Sequence, residues 1–299
     1  MTHLEELVKL GFLVEADIKD SIEDMEEKKF KILIEHLKKE KPFMVSTSMI
    51  EEIFAREIEI VKQFEPLESI TVGEFVQALN RRYNFIQKIL MNKVELKNIV
   101  SINKISNGNV NVIGLVKDIL EKSQKRVVVL EDPTGYIETL MDGELAKRLA
   151  LDDVIAVSGT VLNKVLNVEK MFFPSIPLRP VNYSKENVKV AFLPEKKIKA
   201  NYIINKDSIE DKVKKKKYKI RTPCIVKIND IVILIISDSN PMEALNKRYL
   251  NINRKDFLID PVPDIIFNDG VVNMSYKGIS IVPKNKIINL KTREIKDVV

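Results

Sequence analysis

The sequence predicts a multidomain α+β chain: a helical N-terminal region over residues 1–92, a small five-stranded barrel over 93–180, and an α/β region over 181–299. Three observations carry this. Apolar residues recur at helical spacing behind repeated capping boxes up to about residue 92. From about residue 98 the period changes to two, with turn signals between short apolar runs. A Pro-rich connector, Phe173-Pro174-Ser175-Ile176-Pro177-Leu178-Arg179-Pro180, then separates the barrel from a further set of short strands.

In the first region, Thr2-His3-Leu4-Glu5 has the capping-box pattern, with Leu4, Leu7 and Val8 on one face and Gly11 ending the turn. A second helix is expected from Ile18 to Leu37, interrupted or loosened by the charged stretch Glu23 to Lys29. Ser48-Met49-Ile50-Glu51 is another capping box, opening a helix with Ile50, Ile53, Phe54, Ile58 and Val61 at helical spacing; Pro66 breaks it. Thr71-Val72-Gly73-Glu74 opens a last helix carrying Phe75, Val76, Leu79, Ile86 and Leu90. These stripes read as core, with part of one left to dock on another subunit.

In the second region, Asn109 to Val116 alternates as a strand and Arg126 to Leu130 is a second. Asp132-Pro133-Thr134-Gly135 is a tight turn leading into a third, Tyr136 to Met141. Gly143 to Ala150 is a short helix, Val154 to Val161 a fourth strand, and Val165 to Lys170 the start of a fifth. Five strands with one helix before the fourth fit an OB-type barrel, with Gly114 and Gly159 allowing bends. Such barrels bind single strands through aromatics and a basic groove. Here the region offers only Tyr136, Phe172 and Phe173, and Tyr136 reads as a core or edge residue before it reads as a base-stacking one. In the third region Val188 to Leu193, Ile231 to Ile236, Pro263 to Phe267, Val271 to Met274, Gly278 to Val282 and Lys286 to Leu290 are strands, the second buried on both faces.

Composition narrows the chemistry. With 299 residues, 45% hydrophobic and 31% charged, the chain can bury more than one core. Abundant Lys, Glu and Ile accompany both thermophily and nucleotide bias, so they decide nothing. The one cysteine, Cys224, lies in an apolar run and reads as a small buried hydrophobe. The only two histidines, His3 and His36, both lie in the N-terminal helical region, which argues against a histidine-based metal site elsewhere. The acidic N-terminus and the short apolar runs argue against a signal peptide and a membrane span, so the expected location is cytoplasmic, with association to the nucleoid left open.

The net charge is +6, but residues 196–220 alone hold ten lysines against three acids. The candidate phosphate contacts are Lys196, Lys197, Lys199, Lys212, Lys214, Lys215, Lys216, Lys217 and Lys219. The alternative is a solvated loop that replaces a deleted piece of fold. The absence of arginine and the single neighbouring aromatic, Tyr218, lean towards the loop.

Several collinear phrases resemble the small subunit of archaeal D-family DNA polymerase, a family related to the B subunits of eukaryotic replicative polymerases. They are Arg82-Tyr83, Val94-Glu95-Leu96, Ser101-Ile102-Asn103-Lys104, Val112-Ile113-Gly114, Val129 to Gly135 and Phe173 to Pro177. Near the C-terminus, Asp256 to Asp260, Val262 to Ile266 and Tyr276 to Ile279 continue the likeness. The resemblance implies a helical domain, an OB barrel and a calcineurin-like phosphoesterase domain. In active members that last domain is a two-metal 3′–5′ exonuclease with Asp-x-His, Gly-Asp, Gly-Asn-His-Asp and Gly-His-x-His motifs, because imidazole and carboxylate ligands set the metal spacing.

Those motifs are missing. The first strand runs into Leu193-Pro194-Glu195-Lys196, no glycine lies between Pro180 and Asp269, and the late motif falls at Asn268-Asp269-Gly270-Val271-Val272-Asn273. The 119 residues after Pro180 are few for a full phosphoesterase core. The positions of lost ligands are therefore Pro194, Glu195, Asp269, Gly270, Val271 and Asn273. The expectation is an inactive, shortened relative without cofactor: an accessory or scaffold subunit whose partner is a polymerase-type large subunit or another replication or repair protein. Single-stranded DNA binding through Lys196–Lys219 is the first alternative. A residual exonuclease with a carboxylate metal site at Asp238, Asp264 and Asp269 is the second.

Overall fold

A computed structural model describes residues 2–54, 58–66, 71–122, 125–237, 239–252 and 254–298. Residues 2–54 form a unit with its own core of Leu7, Phe12, Ile22, Phe30, Leu33, Leu37 and Val45. The Thr2 box caps the helix His3–Lys9 as expected, Thr2 Oγ1 accepting from the Glu5 amide at 3.3 Å. The helical stretch expected over 18–37, interrupted or loosened at Glu23 to Lys29, is interrupted there into Lys19–Glu23 and Glu27–Glu40. The break lets Ile22 and Phe30 both enter one core. The helix Thr47–Phe54 starts earlier than its expected box, with Ser46 Oγ accepting from the Met49 amide at 3.4 Å.

The expected helix through Ile58 and Val61 is not there. Glu59–Gln63 is a strand, antiparallel to Cys224–Ile228 more than 160 positions away. Residues 1–92 are therefore not wholly helical. Helical spacing joins Ile58 to Val61, but the extended segment packs Ile58 and Ile60 against the sandwich core and leaves Val61 exposed; in so short a segment only the distant partner decides between the two. Val72–Met91 is a helix, capped by Thr71 as expected, and it buries Ala78, Arg82, Tyr83, Ile86 and Leu90. Val72 and Val76 stay exposed, so the start of that stripe is not core.

The barrel closes. Its strands are Gly108–Lys122, Lys125–Asp132, Gly135–Asp142, Val154–Leu162 and Val165–Phe172, with the short helix Gly143–Ala146 before the fourth. Taken in chain order as first to fifth, they run 1-2-3-5-4 around the barrel, and the fourth returns to the first, as the OB-type expectation requires. Asp132 makes the hairpin turn: its carboxylate accepts from the amides of Thr134 at 2.7 Å and Gly135 at 3.0 Å, and from that of Ile102 at 2.9 Å. Gly159 is obligatory, since a Cβ there would lie 2.0 Å from the Asn167 carbonyl oxygen. The space it leaves lets the last two strands approach.

Residues 181–298 build two facing six-stranded sheets. One runs, in spatial order, Lys216–Lys219, Ser208–Asp211, Tyr202–Ile204, Lys189–Phe192, Lys286–Asn289, Ile295–Asp297. The other runs Met274–Tyr276, Ile279–Val282, Ile265–Asn268, Ile231–Ile236, Cys224–Ile228, Glu59–Gln63. Phe192 and Phe267 stack between the sheets with centroids 4.9 Å apart. Ile231, Ile233 and Ile235 face the sheet-to-sheet core, while Leu234 and Ile236 face a second core beneath the helix Pro241–Lys247 and the hairpin Tyr249–Ile252/Lys255–Leu258. Double burial explains the unbroken apolar run. The region is thus richer in strand than an α/β reading implies: Pro241–Lys247 is its one α-helix among the described residues. The expected strand at Val271 begins only at Met274.

Candidate functional site

The junction of helix, barrel and sandwich is the most heavily engineered polar feature of the molecule. Arg82, 1% exposed, projects from Val72–Met91 into it. Its Nε donates to Asp256 Oδ2 at 2.8 Å, its Nη2 to Asp256 Oδ1, and its Nη1 to the Asp152 carbonyl at 2.6 Å. The guanidinium lies 4.1 Å from the centre of the Tyr249 ring. Tyr249 in turn donates its hydroxyl to Asp153 at 2.6 Å, and Lys247 pairs with the same carboxylate at 2.9 Å. Burial is the largest single effect and opposes the charge on Arg82, but the Asp256 hydrogen bond and the electrostatic attraction of Tyr249, Asp256 and Asp152 together outweigh it and hold the guanidinium pKa above its ordinary value. Burial, reinforced by Asp153, pushes the Tyr249 phenol up as well, so it remains a donor. A planar bidentate cation suits this role, where a lysine would leave donors and geometry unmatched.

Pro194, Glu195, Asp269 and Gly270, which the resemblance marked as metal-motif positions, lie at one end of the sandwich. Pro194 and Glu195 follow the strand that carries Phe192, and Asp269 and Gly270 follow the strand that carries Phe267. Their contacts are structural: the Glu195 amide donates to Asn285 Oδ1 at 2.8 Å, and the Gly270 amide donates to Asn268 Oδ1 at 2.9 Å. Val271 and Asn273 continue the same loop towards Met274. Asp264 lies elsewhere, at the start of its strand. It accepts from Arg179 Nη2 at 2.8 Å, from the Val232 amide at 2.9 Å and from Asn182 at 3.3 Å. Those bonds occupy the lone pairs a metal would need. Asp238 lies outside the described residues. Among the described residues, no group of three or more His, Cys, Asp or Glu side chains is placed to hold a metal ion. His3 stacks on Phe30 at 3.9 Å and bonds to the Ile22 carbonyl oxygen. Cys224 is buried, and desolvation pushes its thiol up to about 12.

The lysine-rich segment is neither a loop nor a single patch. It forms the strands Tyr202–Ile204, Ser208–Asp211 and Lys216–Lys219 at one edge of the first sheet. Buried Tyr202, Ile204 and Ile209 hold it down. Lys196 and Lys197 follow Glu195 at one end of the sheet. Lys212 lies at the opposite end, its amide donating to the Asn201 carbonyl at 2.9 Å, near the start of the strand that Lys199 precedes. Lys214 and Lys215 turn the hairpin there. Lys216 and Lys217 stand opposite Asp211 and Glu210 in the ladder, Lys212 pairs with Glu210, and Lys219 ends the edge strand. An edge strand studded with lysine is also how sheets avoid pairing with other chains.

Sequence reasoning undervalued Tyr136. It is not core but an edge position, paired with Glu131 on one side only and 69% exposed, with Lys117 Nζ 5.6 Å from its ring centre. The available signal was its place directly after the Asp132 turn, where a strand's first outward residue need not be covered. No helix among the described residues is long and apolar enough to cross a membrane.

No family model matches the chain. In sequence it is similar to the DNA polymerase II small subunit of Archaeoglobus fulgidus, 30% identical over 127 residues, a stretch covering 42% of this chain and 26% of that protein. It is similar also to the DNA polymerase II small subunit of Methanothermobacter thermautotrophicus, 27% identical over 133 residues, covering 42% of this chain and 27% of that one. The chain is a relative of these small subunits, and the likeness spans about a quarter of their length. Among solved structures, an OBody bound to hen egg-white lysozyme aligns with 14% identity and a TM-score of 0.25, over 27% of this chain and 96% of that one. Asparaginyl-tRNA synthetase from Pyrococcus horikoshii aligns with 20% identity and a TM-score of 0.23, over 24% and 21%.

Proposed function

We propose that this chain is a non-catalytic accessory subunit of a DNA replication or repair complex, a counterpart of the polymerase small subunits it is related to. In this reading the 181–299 region is a reduced phosphoesterase-like domain kept for its packing, and its partner is a polymerase-type large subunit or another replication protein. The observation that carries the reading is the Arg82 junction. Five polar side chains, Arg82, Asp153, Lys247, Tyr249 and Asp256, join the long helix, the barrel, and the helix Pro241–Lys247 with its following hairpin in one buried network. A network of that kind fixes orientation more than it adds stability. Fixed orientation is what a docking platform requires. Asp264 supports the same conclusion, since its carboxylate ties Arg179 and the Val232 strand together instead of facing a cleft.

Affinity purification of the tagged full chain from its own cells tests the proposal. Mass spectrometry should find a replication or repair protein in near-stoichiometric amount; its absence under gentle and low-salt washing overturns the reading. A manganese-dependent nuclease assay on the pure protein is expected to show no hydrolysis. Hydrolysis that disappears in Asp264→Ala would replace the proposal with an enzyme.

A further inference from the structure

The barrel carries a small cleft that the accessory role leaves without a use. About 540 Å³ of space opens where the approach to the first barrel strand, the start of the third and the turn between the fourth and fifth meet. Ile102, Ile137 and Val161 form its apolar floor, and Asn107, Asn163 and Lys164 its polar rim. Tyr136 stands in its wall, an aromatic ring exposed at 69% beside a cationic Lys117. The volume falls within the range of small-ligand sites.

We propose that this cleft binds single-stranded nucleic acid, one base stacking on Tyr136 and the adjoining phosphates lying along Lys164 and Lys117. Each part has a physical reason. An exposed tyrosine on a barrel is a stacking platform for a base of any identity, and a nearby ammonium adds to its attraction for a polyanion. Asparagine amides on the rim supply both a donor and an acceptor to a base edge. Asn163 and Lys164 adopt left-handed backbone angles, φ 51° and 66°, in the two-residue turn. Glycine would satisfy the Lys164 position more cheaply but would present no charge there. Lys117 also pairs with Glu131 at 2.8 Å, and Glu131 stands opposite Tyr136 in the ladder; a phosphate drawn to Lys117 competes with that carboxylate, so Lys164 is the principal phosphate contact. The lysines of residues 196–219 belong to a different sheet and take no part.

The test is fluorescence anisotropy of the full chain with end-labelled oligodeoxyuridylate and oligouridylate of 12 nucleotides and a 12-base-pair duplex, across a salt series. A strand of that length fits the site size of one such barrel. Wild type should bind the single strands and prefer them to the duplex; a preference between the two single strands then identifies the sugar. Tyr136→Ala should weaken binding about tenfold or more, and Tyr136→Phe should stay within about twofold of wild type. Lys164→Gln should lower the slope of log K against log salt by about 0.7. Circular dichroism of these surface variants confirms an intact barrel. Absence of binding, an unchanged affinity in Tyr136→Ala, or a loss produced instead by neutralising Lys214 to Lys217 overturns the proposal. Because this assay uses the pure chain, its outcome is independent of whether a protein partner is found.

Discussion

At the scale of single residues, the side chains with most consequence are polar and buried. Removing Arg82 would strand the Asp256 carboxylate, itself only 7% exposed, without a partner. Arg82→Met should therefore destabilise the full chain by about 3–5 kcal/mol, read as a lower urea midpoint, and the double variant Arg82→Met/Asp256→Leu should recover most of that loss. A double variant no more stable than the single would mean that the pair is not the energetic centre of the junction. His3 gives a pH prediction. Its bond to the Ile22 carbonyl oxygen raises its pKa, burial lowers it by less, and Glu27 adds to the rise. A raised folded pKa means that the folded state holds the proton more tightly than the unfolded chain. Its stabilisation is complete below the ordinary histidine pKa, about 6.5, and lost as pH rises through the folded value. Amide exchange in Glu27–Glu40 should accordingly be better protected at pH 5.5 than at pH 8 after correction for the intrinsic rate. Equal or reversed protection contradicts the assignment.

At the scale of elements, some expectations came directly from local pattern. The barrel strands were legible because each is an alternating or apolar run of five or more residues set off by turn residues with a clear job, such as Asp132. The capping boxes at Thr2 and Thr71 were legible for the same local reason. The strand Glu59–Gln63 was not, because its partner lies at Cys224–Ile228 and nothing nearby distinguishes it from a helix end. Tyr202–Ile204 and Ser208–Asp211 were hidden among charges, although Ile204 and Ile209 carry the burial. Their lysine-bearing edge leads to a prediction. Replacing Lys214, Lys215, Lys216 and Lys217 with glutamine should leave the fold intact but promote self-association through Lys216–Lys219, as an edge strand stripped of charge gains partners. Light scattering after size exclusion reads this; a variant that stays monomeric at all concentrations rules out edge protection as the role of the run.

At the scale of the whole molecule, the N-terminal helical unit and the sandwich are linked through a segment that contributes a strand of its own. A chain beginning at Ile58 keeps Glu59–Gln63 beside Cys224–Ile228 and should elute as a folded species. A chain beginning at Thr71 leaves the Cys224–Ile228 edge unpaired, with apolar side chains on both sides of it, and should aggregate or melt at lower temperature. Equal behaviour of the two on size exclusion and thermal melting would show that the strand is dispensable. The same reasoning explains how the candidate sites divided. The count and place of the histidines were visible at once: there are two, both before residue 92. Which polar residues hold the parts together was invisible, since Arg82 and Asp256 are 174 positions apart.

By itself, then, the sequence determined what is local or compositional: capped helices, the alternation of the barrel strands, the missing metal motifs, and a likeness to polymerase small subunits. The tertiary structure alone decided that the lysine run forms a sheet edge, that Asp264 is committed to Arg179, that residues 59–63 join a distant sheet, and that Tyr136 stands exposed over a cleft. The physical reason is common to all four. Burial, pairing and exposure depend on which distant segment arrives beside a residue, and periodicity over a few neighbours carries no information about that arrival.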